Sequence, residues 1–275
     1  EARDIFFILD VSGSMYGFPL DTSKELIRNL AGSLRESDRF NVILFSDSLI
    51  QMSPESVPAT AENVKGVALI DNEEGGGGTE LAPALETALA IPASPGAARS
   101  VIAITDGYIS GEREIFDIIG RNIGTTNFFS FGIGSSVNRY LIDGIAKTGL
   151  GESFVVTDPS EAAATADRFR TYIQSPVLTD VQVTYDGFDV YDIEPPTLST
   201  LFASRPIVLF GKWKGEPSEH NKPADRGRDY AEDIPVSAAI PLEANNIIQY
   251  LWARTRVERL TDYGITEDLQ ANAKK

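Results

Sequence analysis

Residues 4–14 read DIFFILDVSGS, an apolar run that ends in one carboxylate and two hydroxyls, Asp10, Ser12 and Ser14, alternating with Val11 and Gly13. A short, continuous apolar run of this kind fits a strand buried on both faces. Its polar tail suits no core. Taken alone, that tail serves equally well as a strand-to-helix turn with capping residues, and its meaning depends on what the rest of the chain brings near it.

Outward from this strand the sequence alternates between two periodicities. The stretch 21–34, DTSKELIRNLAGSL, sets Leu26, Ile27, Leu30, Ala31 and Leu34 on one helical face, and RFNVILFS (39–46) is the next strand. TAENVKGVALI (60–70) and ELAPALETALAI (80–91) read as helices on either side of the glycine run Gly75–Gly78. RSVIAIT, TNFFSFGIG and GESFVVT read as strands, and EREIFDIIGRNI, NRYLIDGIAKTG and PSEAAATADRFRTYIQ as the helices between and after them, with Pro159 well placed at a helix start. Strands alternating with amphipathic helices imply an open, doubly wound α/β domain with a mostly parallel sheet flanked by helices. Ligands of such sheets bind outside the carboxyl ends of the strands, which is where DVSGS falls.

The pattern changes after Pro176. Residues 176–243 carry alternating aromatic and β-branched runs broken by Asp-Gly and Pro-Pro, which predicts antiparallel strands. Within them 215–230 reads as a polar loop, and DIPVSAAIPL (233–242) as an edge strand because of its two prolines. NNIIQYLWARTRVERLTDYG closes the chain as a helix with Asn245 as its cap and a stripe of Ile248, Leu251, Trp252 and Thr255. The expected organisation is therefore an α/β domain over 1–175, a smaller β-rich segment over 176–243, and a helix and tail over 244–275 that pack on it. Trp213 and Trp252 are expected in the core of that second part.

Composition excludes several functions. The 275 residues carry 40 acidic against 24 basic side chains, a formal charge of −16. That repels nucleic acid and anionic membrane and suits a binder of cations. No apolar run approaches the ~20 residues of a membrane span. With no cysteine there are no disulfides, thiolate metal sites or cysteine nucleophiles, and the single histidine, His220, sits in a polar stretch. EARDIFFILD has no signal-peptide character, which implies that a signal was removed or that the sequence is an excised fragment.

Asp10, Ser12 and Ser14 offer one negative and two neutral oxygens, a donor set for Mg²⁺, Ca²⁺ or Mn²⁺ rather than zinc. Three ligands are too few for an octahedral ion. Two further strand ends offer more: Thr79 behind GGGG, where the backbone approaches closely, and Asp106 in IAITDG. Together DVSGS, the threonine behind a glycine-rich turn and TDG resemble the metal-ion-dependent adhesion site of von Willebrand factor A (vWA) domains, whose fold is Rossmann-like. Asp10, Ser12, Ser14, Thr79 and Asp106 each match a position of that motif. The resemblance implies that the hydroxyls contact the metal directly while one or both aspartates act through water, so that a partner's carboxylate completes the shell.

The stretches TDVQVTYDGFDVYDIEPP, LFASRPIVLFGKWKG and LWARTRVERL resemble the region after the A domain in inter-alpha-trypsin inhibitor heavy chains and their bacterial relatives. Those proteins usually carry a vault/inter-alpha-trypsin (VIT) domain before the A domain, and this sequence begins at the first A-domain strand. The implied function is a non-enzymatic, cation-dependent protein-binding or adhesion module, bacterial and extracellular, at the cell surface or periplasmic. Its partner is a protein with an acidic side chain, or a matrix or surface component. Tyr16, Phe18 and Tyr108, on loops beside the ligands, are candidates for the partner-binding rim. Two other readings remain. One is a structural module whose metal only stabilises the fold. The other is a Mg²⁺-dependent haloacid dehalogenase-like phosphatase, which wants a carboxylic acid two residues after its aspartate where this chain has Ser12.

Overall fold

The computed structural model describes residues 2–174, 176–178, 181–185, 189–198, 200–202, 206–215 and 243–262. The opening apolar run forms strand β1, Arg3–Asp10, with all eight residues buried. A single 3-10 turn, Gly13–Met15, connects it to helix α1, Phe18–Gly32. The helix starts three residues before the expected position because Gly17 adopts φ +80° and Pro19 falls in the first turn, where a missing N–H costs nothing.

Strands β2 (Arg39–Phe45), β5 (Ala98–Thr105), β6 (Asn127–Ile133) and β7 (Ser153–Val156) pair in parallel with β1 in the order β2-β1-β5-β6-β7. Two short strands that the sequence pattern does not announce, β3 (Leu49–Gln51) and β4 (Val57–Pro58), line the outer side of β2 antiparallel to it. Helix α2 is only Ala61–Lys65. The expected helical stretch 60–70 continues as a 3-10 segment, Gly66–Asn72.

Alternate residues of the strands face two apolar layers. Ile5, Phe7, Leu9, Val42, Leu44, Ile102, Ile104, Phe129 and Phe131 share one core with α1 and with α6, Ala162–Ile173. The other face packs under α3 (Leu81–Ala90), α4 (Glu112–Asn122) and α5 (Arg139–Thr148) through Leu85, Ile119 and Ile145. Below the sheet's amino-terminal edge, Asp38 is fully buried and accepts hydrogen bonds from the backbone N–H and guanidinium of Arg3 and from Arg35.

The chain divides into two compact units, Glu1–Thr179 with Ser199–Pro206, and Asp180–Leu198 with Ile207–Lys275. The return of 199–206 to the first unit has a clear cause. Strand β10 (Leu201–Phe202) pairs with β8 (Pro176–Leu178), and Phe202 sits edge-on to Phe129 at a centroid distance of 6.1 Å. Asn127 and Thr200 exchange two hydrogen bonds, at 3.0 and 3.2 Å.

In the second unit β9 (Asp189–Glu194) and β11 (Phe210–Lys214) form an antiparallel pair, and α7 spans Ile248–Val257. A 3-10 turn, Glu243–Ile247, precedes α7, so Asn245 is not its cap. Ile248 and Leu251 of the expected stripe are exposed, and α7 is held by polar groups instead. Trp252 Nε1 donates to the Asp192 carbonyl at 2.8 Å, and the ring lies under Lys212 Nζ, 3.8 Å from its centroid. Arg256 and Arg259 donate to Glu194, which is fully buried. Trp213 is 59% exposed because β11 turns it to the face opposite Lys212. The expected loop 215–230 (beyond its first residue), His220 and the expected strand 233–242 lie outside the described residues.

Candidate functional site

In chain order the sheet grows from β1 to β2 on one side and then resumes at β5 on the other, so the β1/β5 boundary is the point where strand order reverses. At such a point the two outgoing loops diverge and leave a crevice. Leu9 pairs with Ile104, which puts Asp10 and Thr105 side by side at its mouth.

Asp10 is fully buried. Its Oδ1 accepts the Ser12 backbone N–H at 2.9 Å and its Oδ2 accepts the Thr105 hydroxyl at 2.6 Å. Burial pushes its carboxyl above the ordinary aspartate value. The Ser12 and Thr105 hydrogen bonds pull it back, and the neighbouring Asp106 charge raises it further. A negative group held in this way favours a nearby cation, which would invert the balance. Ser12 is buried and Ser14 exposed, with their hydroxyl oxygens 3.2 Å apart.

The glycine loop is laced to this turn. Gly13 N–H donates to the Gly77 carbonyl at 3.1 Å and Gly76 N–H to the Val11 carbonyl at 2.9 Å. Gly75 has φ +89°, and a Cβ there would stand 3.1 Å from Tyr16 Cα and 3.3 Å from the Ser12 carbonyl oxygen. The lacing brings half-buried Thr79 to the same end of the sheet, one residue before the Glu80 that precedes α3. Asp106, 4% exposed, follows β5 and accepts the Tyr108 N–H through Oδ1 at 3.1 Å. The last residue of β1, Asp10, and the loops that carry the other four expected ligand residues thus lie at one edge, and hydrogen bonds link the Asp10–Ser14 turn to both of the other segments.

Of the three expected rim aromatics, Tyr16 is 74% and Tyr108 is 55% exposed, and the Tyr108 hydroxyl bonds to Ser136 Oγ at 2.7 Å. Phe18 is the first residue of α1 rather than a loop residue, half-buried and packed on the core.

Three supporting residues escape a sequence reading. Thr105 bridges Asp10 to the Gly107 N–H, which donates to its hydroxyl at 2.9 Å. Asp47 accepts the Gly78 N–H at 2.7 Å. Asn138 donates from its side chain to the Gly107 carbonyl at 3.1 Å and from its backbone to the Asp106 carbonyl at 3.0 Å. Thr105 and Asp47 signal themselves in sequence only by position at or after a strand's carboxyl end, whereas Asn138 reads as the cap of α5, whose Leu141 N–H it accepts.

The donors gathered here are carboxylate and hydroxyl oxygens, the type taken by hard divalent cations. Among the described residues no three carboxylate, histidine or cysteine side chains converge into a metal-binding group, here or elsewhere, and the set at this site combines two carboxylates with hydroxyls. Two ligands side by side on an octahedral ion with bonds of about 2.0–2.1 Å lie roughly 2.9 Å apart, close to the Ser12–Ser14 separation.

Comparison with known proteins gives the family. A model of the von Willebrand factor type A domain matches residues 3–155, more than half of the chain. A von Willebrand factor A domain-containing protein of Dictyostelium discoideum is 28% identical over 221 residues, which cover 80% of this chain and 24% of that protein. The inter-alpha-trypsin inhibitor heavy chain H3 of Bos taurus is 22% identical over 286 residues, covering 94% and 32%. The chain thus spans about a quarter to a third of the length of these relatives. Among solved structures, a von Willebrand factor type A protein from Catenulispora acidiphila aligns with a TM-score of 0.60 at 18% identity, over 79% of this chain and 56% of that one. Proximal thread matrix protein 1 of the mussel byssus, described with a zinc-occupied MIDAS motif, aligns with a TM-score of 0.50 at 20% identity, over 61% and 44%. The chain belongs to the von Willebrand factor type A domain family.

Proposed function

We propose that this protein is a non-enzymatic, divalent-cation-dependent protein-binding or adhesion module. The observation that carries the reading is the convergence of DVSGS, the laced glycine loop and Asp106 at the strand-order reversal of the sheet. Ser12, Ser14 and Thr79 would hold Mg²⁺, or Ca²⁺ or Mn²⁺, through hydroxyl oxygens, with Asp10 and Asp106 supplying the charge. Both Asp10 oxygens already accept a hydrogen bond, which favours contact through water. Bound there, the ion would supply an electrophilic position that an acidic side chain of a partner protein completes. Tyr16 and Tyr108 flank that position with exposed rings, the residue type enriched where partners anchor.

A low-charge donor set supports this reading over phosphatase chemistry. The residue two after Asp10 is Ser12, whose hydroxyl cannot protonate a leaving group at neutral pH. We place the protein in an extracellular, cell-surface or periplasmic setting. No described helix is long and apolar enough to cross a membrane.

The test is thermal melting in Mg²⁺, Ca²⁺ or EDTA, for the wild type and Asp10→Ala. Metal at about 100 times its dissociation constant stabilises by roughly 2.7 kcal/mol, which the variant should lack. Equal melting of the wild type in Mg²⁺, Ca²⁺ and EDTA would sink the reading. A metal shift without carboxylate-dependent partner binding would leave a stabilising metal as the function.

A further inference from the structure

We infer that Thr105 is a positioning residue for the cation site: it orients Asp10 and ties it to the loop that carries Tyr108. The inference rests on the proposed cation reading and goes beyond its five ligand residues. Thr105 closes β5 and is fully buried. Its hydroxyl has one proton and two acceptor lone pairs. The Gly107 N–H donates to that oxygen at 2.9 Å, so the hydroxyl proton is directed at Asp10 Oδ2, 2.6 Å away.

Two consequences follow from that polarity. First, Asp10 is held by a donor on each oxygen, Ser12 N–H on one and Thr105 O–H on the other, so its carboxylate plane is fixed before any ion arrives. A carboxylate oxygen has further acceptor capacity, so each Asp10 oxygen could still take a water or an ion. Second, Gly107 is held on both sides, its N–H by Thr105 and its carbonyl by Asn138 Nδ2. Gly107 sits at φ +86°, and a Cβ there would come 2.9 Å from Asn138 Cβ. Tyr108 leaves this clamp directly, with its own N–H on Asp106 Oδ1. One buried hydroxyl therefore holds both the Asp10 carboxylate and the turn that presents an exposed tyrosine.

Residues that orient metal ligands typically change metal affinity 10–100-fold when removed. Thr105→Val keeps the shape and loses the hydroxyl, whereas Thr105→Ser keeps the hydroxyl and loses a methyl. The experiment is Mg²⁺ titration by calorimetry on the wild type, T105V, T105A and T105S. It is paired with melting in EDTA and with hydrogen exchange of the Gly107 amide. Expected are a loss of about tenfold or more in Mg²⁺ affinity and faster Gly107 exchange for T105V and T105A, with T105S within about threefold of the wild type. T105A stands in if T105V does not fold, and a T105S that loses tenfold or more in Mg²⁺ affinity overturns the claim even if both removals misfold. A purely structural role would lower the EDTA melt and leave affinity unchanged, and that result overturns the inference, as does a T105S that binds as weakly as T105V. If the wild type itself takes up no Mg²⁺, the cation reading fails with it. If the wild type binds and T105V binds equally, only the role of Thr105 is lost.

Discussion

The backbone N–H of Gly78 donates to Asp47 Oδ1 at 2.7 Å, fastening the glycine loop to the segment that leaves β2. A Cβ at Gly77 would stand 2.5 Å from the other Asp47 oxygen, so the loop folds around this carboxylate. Thr79 follows directly. Asp47 is exposed, and its removal leaves no buried group unpaired. Asp47→Ala should therefore melt within about 0.5–1 kcal/mol of the wild type in EDTA. Its Mg²⁺ affinity should fall several-fold, because the loop that brings Thr79 to the site loses an anchor. Calorimetric titration set beside the EDTA melt separates the two effects, and unchanged affinity would mean that the Gly13–Gly77 and Gly76–Val11 backbone bonds hold the loop by themselves.

At the opposite edge of the sheet, Arg3 and Asp38 make a buried ion pair. Burial alone would raise the Asp38 carboxyl, but hydrogen bonds from Arg3 and Arg35 and the Arg3 charge outweigh it and hold it below its ordinary value. The folded pKa is depressed, so the native state binds fewer protons than the unfolded state between the two pKa values. The stabilisation is present above the unfolded pKa and is lost as pH falls through the folded one. Urea unfolding followed by far-UV circular dichroism should show the wild type weakening below pH ~4, with a flatter acid limb for Asp38→Asn. At neutral pH the variant should lose about 3–5 kcal/mol, since it strands the buried Arg3 charge. Parallel acid limbs would contradict this account.

Glu194 is the corresponding buried charge of the second unit. It accepts from Arg259 in two hydrogen bonds of 2.7 Å and from Arg256 at 3.3 Å. Both tryptophans of the chain, Trp213 and Trp252, belong to this unit, so their fluorescence reports on it alone. Glu194→Ala leaves the Arg259 guanidinium without its acceptor and Arg256 with Asp192 alone, at 3.2 Å, and should cost about 3–5 kcal/mol in that unit. Trp252 emission should shift to the red as α7 comes away from β9 and β11. An unshifted spectrum would show that the Trp252–Asp192 bond and the Lys212 contact suffice.

The parts of the fold legible in the sequence were those that hydrophobicity alone dictates. IFFIL and VIAIT are continuous apolar runs because both faces of β1 and β5 are covered, and the helices between strands show one apolar stripe each. The residues 49–58, LIQMSPESVP, have no such run, because β3 and β4 only line the outer side of β2 with exposed or half-buried residues. Helix α7 docks by a face other than the one its apolar pattern marks, for a related reason. Ile248 and Leu251 look like a core stripe, yet the helix is held by Trp252, Arg256 and Arg259 on Asp192 and Glu194, a polar pairing that periodicity does not reveal.

For the candidate site, DVSGS, Thr79 and Asp106 were legible only as a set, since each alone reads as a turn or loop and their occurrence together at strand ends is what resembles the family motif. Thr105 and Asp47 were not. A threonine closing a strand before Asp-Gly and an aspartate in FSDS read as ordinary turn residues. Their roles depend on partners 95 and 31 residues away in sequence.

The proposed divalent cation would bind where the Asp10–Ser14 turn, the glycine loop and the 105–108 turn meet. Paramagnetic broadening of backbone amide signals by substoichiometric Mn²⁺ tests this most directly, because it reports where the ion sits as well as whether it binds. The account predicts that the amides of Ser12, Gly13, Ser14, Thr79, Asp106 and Gly107 broaden first. Excess Mg²⁺ should restore them, and Asp10→Ala should abolish the effect at the same Mn²⁺ concentration. Broadening confined to other acidic stretches, such as Asp71–Glu74, with these six signals unchanged, would contradict it.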